Sequence, residues 1–307
     1  MTELAASTAA PATRRRRRVS DRRALAGWWF LAPFLTVFLV SFVAPIVYAL
    51  YLSVFRTQLL GENVFVGLEN YTRALQDPQF WSGVGRVSLL LVLQVPLLLI
   101  IALAAALALD SGKLRGMALF RISIFMPYAV PAVVATLIWG FMYGTNFGLV
   151  ANLNDVFSIS LPNPLSPGNI LAAIANILIW GNVGYNMLIF YAALRVIPTE
   201  LYEAAAIDGA GQFRIISAIK LPAIRGALVI AAIFSIIGSF QLFNEPQILQ
   251  PMAPNAIATY FSPNLYSYNL AFSGGQQNYS ATVAIIMGLA TMVIAYAVQL
   301  RGMRKGS

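Results

Sequence analysis

The sequence predicts an all-α integral membrane protein of six transmembrane helices with a helical hook on its cytoplasmic side. Three observations carry that prediction. The 307 residues are 59% hydrophobic and 10% charged, with a mean hydropathy of +0.74, too little charge to wet the surface of a soluble domain of this length. Six stretches, about 28–54, 84–109, 121–143, 169–194, 224–244 and 279–300, each reach the roughly 20 apolar residues that a bilayer core requires. Lys and Arg alternate in abundance between the segments that join them.

The basic segments fix the orientation. Arg14 to Arg18 form a run, and Arg22 and Arg23 follow it directly before the first apolar stretch. Such a run could bind nucleic acid, but its position is that of a cytoplasmic anchor under the positive-inside rule. With this end inside, seventeen of the twenty Lys and Arg fall on the cytoplasmic side, leaving Arg56, Arg73 and Arg86 outside. Both termini are therefore expected in the cytoplasm, and the lipid bilayer rather than nucleic acid is the partner of the basic tail. The segment is not read as a cleavable signal, because Trp28 to Val54 is too long and lacks a small-residue cleavage site.

This layout divides the chain into a cytoplasmic basic tail (1–27), a first transmembrane helix with its outer loop (28–83), a five-helix membrane domain (84–300) and a cytoplasmic end (301–307). The outer loops 144–168 and 246–278 have no Lys or Arg and are rich in Pro, Asn, Ser and Tyr. They are expected to form ordered caps.

Several chemistries are excluded. The chain has no Cys and no His, so thiol chemistry, imidazole catalysis and metal sites built on these ligands are absent. It has no GxxxxGK[ST] sequence to cradle ATP and no catalytic constellation. Ion-coupled transporters usually carry ionisable groups inside their spans; here Arg86 and Glu245 touch one near the outer ends, and Arg121 and Arg225 only at the cytoplasmic ends. The driving force must come from a partner, or the chain is a passive pore.

Residues Arg195 to Arg225, too polar to span, favour helix. Pro198 closes the fourth span, Thr199 is placed to cap a short helix, and Glu200 and Glu203 suit its positive end. Gly209 and Gly211 permit a turn with positive φ. A second short helix then stops at Leu221-Pro222. The result is a hook of about 199–222, with Ala204, Ala205 and Ala206 as a small-residue surface suited to a cleft on another protein.

Glu203-Ala204-Ala205, Gly209, Ile219 and Leu221-Pro222 stand at the spacing of the EAA motif, and the hook resembles that of permeases of ABC importers. Phe65 to Tyr71, Asp77-Pro78, Phe80-Trp81, Tyr202 and Ile207 to Ala210 are similar to the carbohydrate-uptake, maltose-transporter-like branch. The resemblance implies a type I importer permease fold and a non-enzymatic subunit in the cytoplasmic (inner) membrane. It also implies three kinds of partner: a second homologous permease subunit, two cytoplasmic ATPase subunits that bind ATP and Mg, and an extracytoplasmic sugar-binding protein. No cofactor is expected in this chain. ATPase coupling is assigned by that resemblance to Glu203, Ala204, Ala205, Asp208, Gly209, Ile219, Leu221 and Pro222. Unlike some members, the chain has no large insert in its outer loops.

The cargo implied is a disaccharide or small oligosaccharide, with glycerol phosphate or a polyol as the alternative. An ion-coupled transporter or passive channel is the competing class. A sugar site needs hydrogen-bonding groups and aromatic faces near the bilayer midplane. Span four offers Asn182, Tyr185 and Asn186 at i, i+3 and i+4, one helix face. Span five offers Ser235 and Ser239, with Gln241 and Asn244 toward its outer end. Small and amide side chains can equally pack helix against helix. Tyr185, Asn182, Ser235 and Ser239 match sugar-contacting positions of maltose-type permeases, although only Tyr185 and Ser235 keep the residue type.

Overall fold

The structure, a computed structural model, describes residues 21–58, 63–112 and 114–304. The Arg14–Arg18 run, Lys113 and residues 305–307 lie outside the described residues. The chain divides into two compact units, Met1–Tyr48 and Ala49–Ser307. In the first lie α1 (Asp21–Phe38) and a π turn over Leu39–Val43. With α2 (Ala44–Ser53) they make the first span, Trp28–Ser53, whose Trp29 and Phe30 are exposed, as suits a lipid-facing helix.

The second unit opens with a small antiparallel hairpin, β1 (Phe55–Arg56) with β2 (Val64–Phe65), and a short helix α3 (Glu69–Gln76). The second span, α4 (Pro78–Asp110), begins well before the expected residue 84. Asp77 caps it by accepting the Gln79 N–H at 2.8 Å, and Pro78 occupies the first turn, where its missing N–H costs nothing. The third span is not one helix. It breaks into α5 (Met117–Phe125) and α6 (Ala132–Met142), bent by 99°. Pro127 tightens the intervening turn into a 3-10 form, and Val130, which precedes Pro131, adopts the extended conformation that a following proline favours.

Next come α7 (Leu149–Phe157), the fourth span α8 (Ile170–Leu194), the hook and then α12 (Arg225–Phe240). Here the fifth span, expected over 224–244, runs Arg225–Leu249 but is interrupted: the chain turns after Phe240 and resumes as α13 (Asn244–Leu249). The cap helix α14 (Pro263–Phe272) and the last span α15 (Gln277–Arg304) complete the unit. Among the described residues, five helical segments are long and apolar enough to cross a membrane, and the bent pair makes a sixth crossing if read as one span.

Side chains of α4 and α8 build two separate apolar cores. One, at the cap end, joins Phe80, Val87 and Leu90 to Ile170, Ile174 and Ile177, and to Phe261 and Leu265 of the cap. The other, at the hook end, joins Ala102, Ala106 and Leu109 to Met187, Phe190, Leu194 and Ile224. Gly184 lets the bent span press on α8: a Cβ there would lie 2.1 Å from the Ile124 carbonyl oxygen. At the cap end Asp77 Oδ2 accepts both the Tyr266 and the Tyr279 hydroxyl at 2.7 Å, pinning α14 and α15 to the start of α4.

Candidate functional site

The hook consists of α9 (Thr199–Ile207), α10 (Gln212–Ile215), a π turn over Ile216–Lys220 and α11 (Leu221–Ala223). Three local expectations are corrected. Thr199 is the first helical residue and makes no cap bond; Pro198 holds the cap position. Of the two glycines, only Gly209 is left-handed, at φ +72°, while Gly211 is extended at φ −70°. Nor does the second helix stop at Leu221-Pro222. The π turn shifts the Leu221 N–H to the Ile216 carbonyl, five residues back, so the helix accommodates Pro222 and ends at Ala223.

On its far side the hook is open. Glu203, Ala204, Asp208 and Gly209 are exposed, as are Ile207 and Phe213; Ala205 and Ile219 are half-buried, as is Leu221, while Pro222 is exposed. Its near side carries an ion pair to the second span. Lys220 Nζ lies 2.5 Å from Asp110 Oδ2, the last residue of α4, and both side chains are largely buried. The same ammonium sits 5.2 Å from the Tyr202 ring centroid. Burial first, and the Asp110 carboxylate second, push the Tyr202 phenol above its ordinary value.

Between the two apolar cores lies a cavity of about 140 Å³. Its walls include Gln94 of α4, Asn182, Tyr185 and Asn186 of α8, and Ser235 and Ser239 of α12. Asn182 stands at the middle of α8. No charged residue lines the cavity. Asn182 Nδ2 donates to the Leu178 carbonyl and Asn186 Nδ2 to the Asn182 carbonyl. That spends one donor of each amide on its own helix and leaves the other groups available. Ser239 Oγ has one proton for two acceptors, Gln94 Oε1 at 3.2 Å and the Ser235 carbonyl at 2.9 Å.

Five of the seven expected binding residues therefore converge. Gln241 and Asn244 do not. Because α12 ends at Phe240, Gln241 turns away to a different, larger cavity beside Ser267 and Tyr268, and Asn244 is exposed at the start of α13. Two contributors were missed. Gln94 is 4% exposed and is the one amide in the apolar run from Leu89 to Leu109, a signal present in the sequence. Tyr128, from the break in the third span, stacks on Tyr185 with centroids 4.8 Å apart and 14° between planes. Only the bend brings it there, and the bend was not foreseen.

The comparisons agree with this architecture. Residues 77–301 match the family described as binding-protein-dependent transport system inner membrane component. A diacetylchitobiose uptake system permease protein of Streptomyces coelicolor is 31% identical over 97% of this chain and 89% of its own. A trehalose/maltose transport system permease protein of Thermococcus litoralis is 30% identical over 82% of this chain and 85% of its own. Among solved structures, a bacterial ABC transporter involved in the import of the acidic polysaccharide alginate superposes with a TM-score of 0.81. That match covers 92% of this chain and 96% of that one at 18% identity, a likeness of fold. The mid-span cavity, the hook and the bent third span are thus carried by a permease subunit rather than an enzyme, and the chain belongs to the binding-protein-dependent transport system inner membrane component family.

Proposed function

We propose that this chain is one of two homologous permease subunits of an ATP-driven importer that carries a disaccharide or small oligosaccharide across the cytoplasmic membrane. Both termini face the cytoplasm, where two ATPase subunits bind ATP and Mg, and a sugar-binding protein delivers cargo from the other side. The observation that carries this reading is the uncharged cavity at mid-span. Amides, hydroxyls and a tyrosine face suit a neutral sugar, whereas a phosphate cargo would call for cationic groups. Relatives named for diacetylchitobiose and for trehalose or maltose support the same class.

In this scheme the exposed face of α9, with Glu203, Ala204 and Ala205, enters a cleft on an ATPase subunit, and Asp208 with Gly209 sets the turn beyond it. Ile219, Leu221 and Pro222 join the hook to α12. Movement of the hook then reaches the cavity along α12, which carries Ser235 and Ser239.

The test is reconstitution in liposomes. The complete complex should accumulate sugar only with internal ATP and the binding protein present. This chain alone should neither hydrolyse ATP nor concentrate sugar. Uphill uptake by the chain alone under a proton or sodium gradient would move it to the ion-coupled class.

A further inference from the structure

A second cavity adjoins the first. It has a volume of about 370 Å³ and is lined by Pro127, Tyr128, Pro131, Gly181, Asn182 and Glu245 among others. Asn182 and Leu178 belong to both cavities. The stacked tyrosines stand one in each, Tyr128 here and Tyr185 in the first. The volume lies in the range of roughly 300–1,000 Å³ usual for small-molecule pockets.

Glu245 sets this chamber apart. It is 8% exposed, and no Lys or Arg lines the cavity with it. Its carboxylate has its own backbone N–H as donor, and no other side chain among the described residues bonds to it. A carboxyl group buried without a cation is costly in any protein and more so at membrane depth. Helix packing at this position would be met as well by an amide or an apolar side chain. A carboxylate is instead an acceptor-only group, and Glu245 lines this cavity together with Asn182.

From this we infer that Glu245 forms a second sugar subsite, accepting hydrogen bonds from two hydroxyls of a neutral glycosyl unit whose neighbouring unit lies in the Asn182–Ser239 cavity. The inference deepens the sugar-permease reading and rests on it. It also gives the path a sign: a uronate or phosphorylated sugar would place like charges together in the second chamber, whereas a neutral hydroxyl donor satisfies the carboxylate.

The experiment uses the complete complex, with its binding protein, in liposomes. Uptake of labelled maltose, trehalose and diacetylchitobiose is measured for the parent, Glu245→Gln and Glu245→Leu, alongside co-purification of the ATPase subunits. The expected result is a rise in apparent KM of about 10- to 100-fold for the transported sugar, as for loss of a charged hydrogen-bond acceptor, with Leu worse than Gln and assembly intact. Unchanged KM in both variants, or a fall in Vmax and assembly at constant KM, overturns the subsite and leaves the permease reading standing. Failure of the parent to take up any of the three sugars overturns the neutral-disaccharide reading, and the subsite with it.

Discussion

Lys220, the residue between Ile219 and Leu221-Pro222 in the hook, is held 2.5 Å from Asp110 at the end of the second span. The pair joins the hook to a helix that runs unbroken to Asp77's cap and carries Gln94 in the cavity wall. On the other side the hook leads into α12, whose Ser239 meets Gln94 at 3.2 Å. The hook therefore grips all three helices of the cavity wall, α8 and α12 covalently and α4 by charge.

The ion pair should obey the asymmetry of buried charges. Removing one partner leaves the other uncompensated, at a cost of about 3–5 kcal/mol, whereas removing both can be nearly neutral. Asp110→Asn and Lys220→Met are each expected to lower the melting temperature of the complex more than the double substitution does. Additive losses in the double variant would show that the two charges do not act as a pair.

Gly209 makes a sharper test of the hook, because its positive φ and its surroundings separate strain from crowding. A Cβ there meets nothing within 4 Å, so any penalty comes from the backbone. Valine at φ +72° should cost about 1–2 kcal/mol or more, and asparagine, which tolerates the left-handed region, much less. Transport is expected to fall in the order Gly209, Gly209→Asn, Gly209→Val. Glu203→Ala should abolish ATP-driven uptake without lowering the melting temperature, since Glu203 is exposed. Parental uptake rates in Gly209→Val and Glu203→Ala would remove the hook from the coupling path.

The spans and the hook were legible because each rests on a local signal. Apolar length marks a helix in lipid, and the hook has helix formers punctuated by Gly and Pro. What escaped was geometry that depends on tertiary context. Pro127 and Pro131 were visible inside the third stretch, but hydropathy cannot give a 99° bend, and without the bend Tyr128 has no reason to meet Tyr185. The face of Asn182, Tyr185 and Asn186 followed from helical spacing because α8 is regular there. Gln241 and Asn244 were misplaced because the same spacing was extended past Phe240, where α12 stops. Gln94 needed only the question of why an amide interrupts an apolar run.

Asp77 gives the cap a pH dependence. Burial pushes its carboxyl up, but the hydroxyls of Tyr266 and Tyr279 and the backbone amides of Gln79 and Phe80 outweigh it and hold the group below its ordinary value of 3.8. A depressed folded-state value stabilises the fold at pH above the unfolded value, and that contribution is lost as pH falls through the folded one. The window is thus below about pH 4. At pH 7, Asp77→Asn should melt earlier than the parent in detergent, and the difference should shrink toward pH 3. A difference that does not change with pH would mean that the carboxylate charge is irrelevant to the cap.

The last prediction concerns the cavity between the two cores, where packing and binding make opposite claims on the same side chains. If Asn182, Tyr185 and Gln94 only fill space, their truncation should cost stability and leave sugar kinetics alone. If they bind sugar, each loses a hydrogen bond or a stacking face at a desolvated site, about 1–3 kcal/mol for a hydrogen bond and about 1 kcal/mol for an aromatic contact. Asn182→Ala and Gln94→Leu are then expected to raise apparent KM by about 5- to 150-fold, and Tyr185→Ala by about fivefold or more. Gln94→Leu is the most discriminating of the three. It keeps the volume of a buried side chain while removing the acceptor of Ser239, so a packing role predicts little change and a binding role predicts a clear one. Uptake of several sugars by each variant in the complete complex decides between them. Parental kinetics in all three would make this polar seam a packing device and shift the sugar contacts to the partner permease.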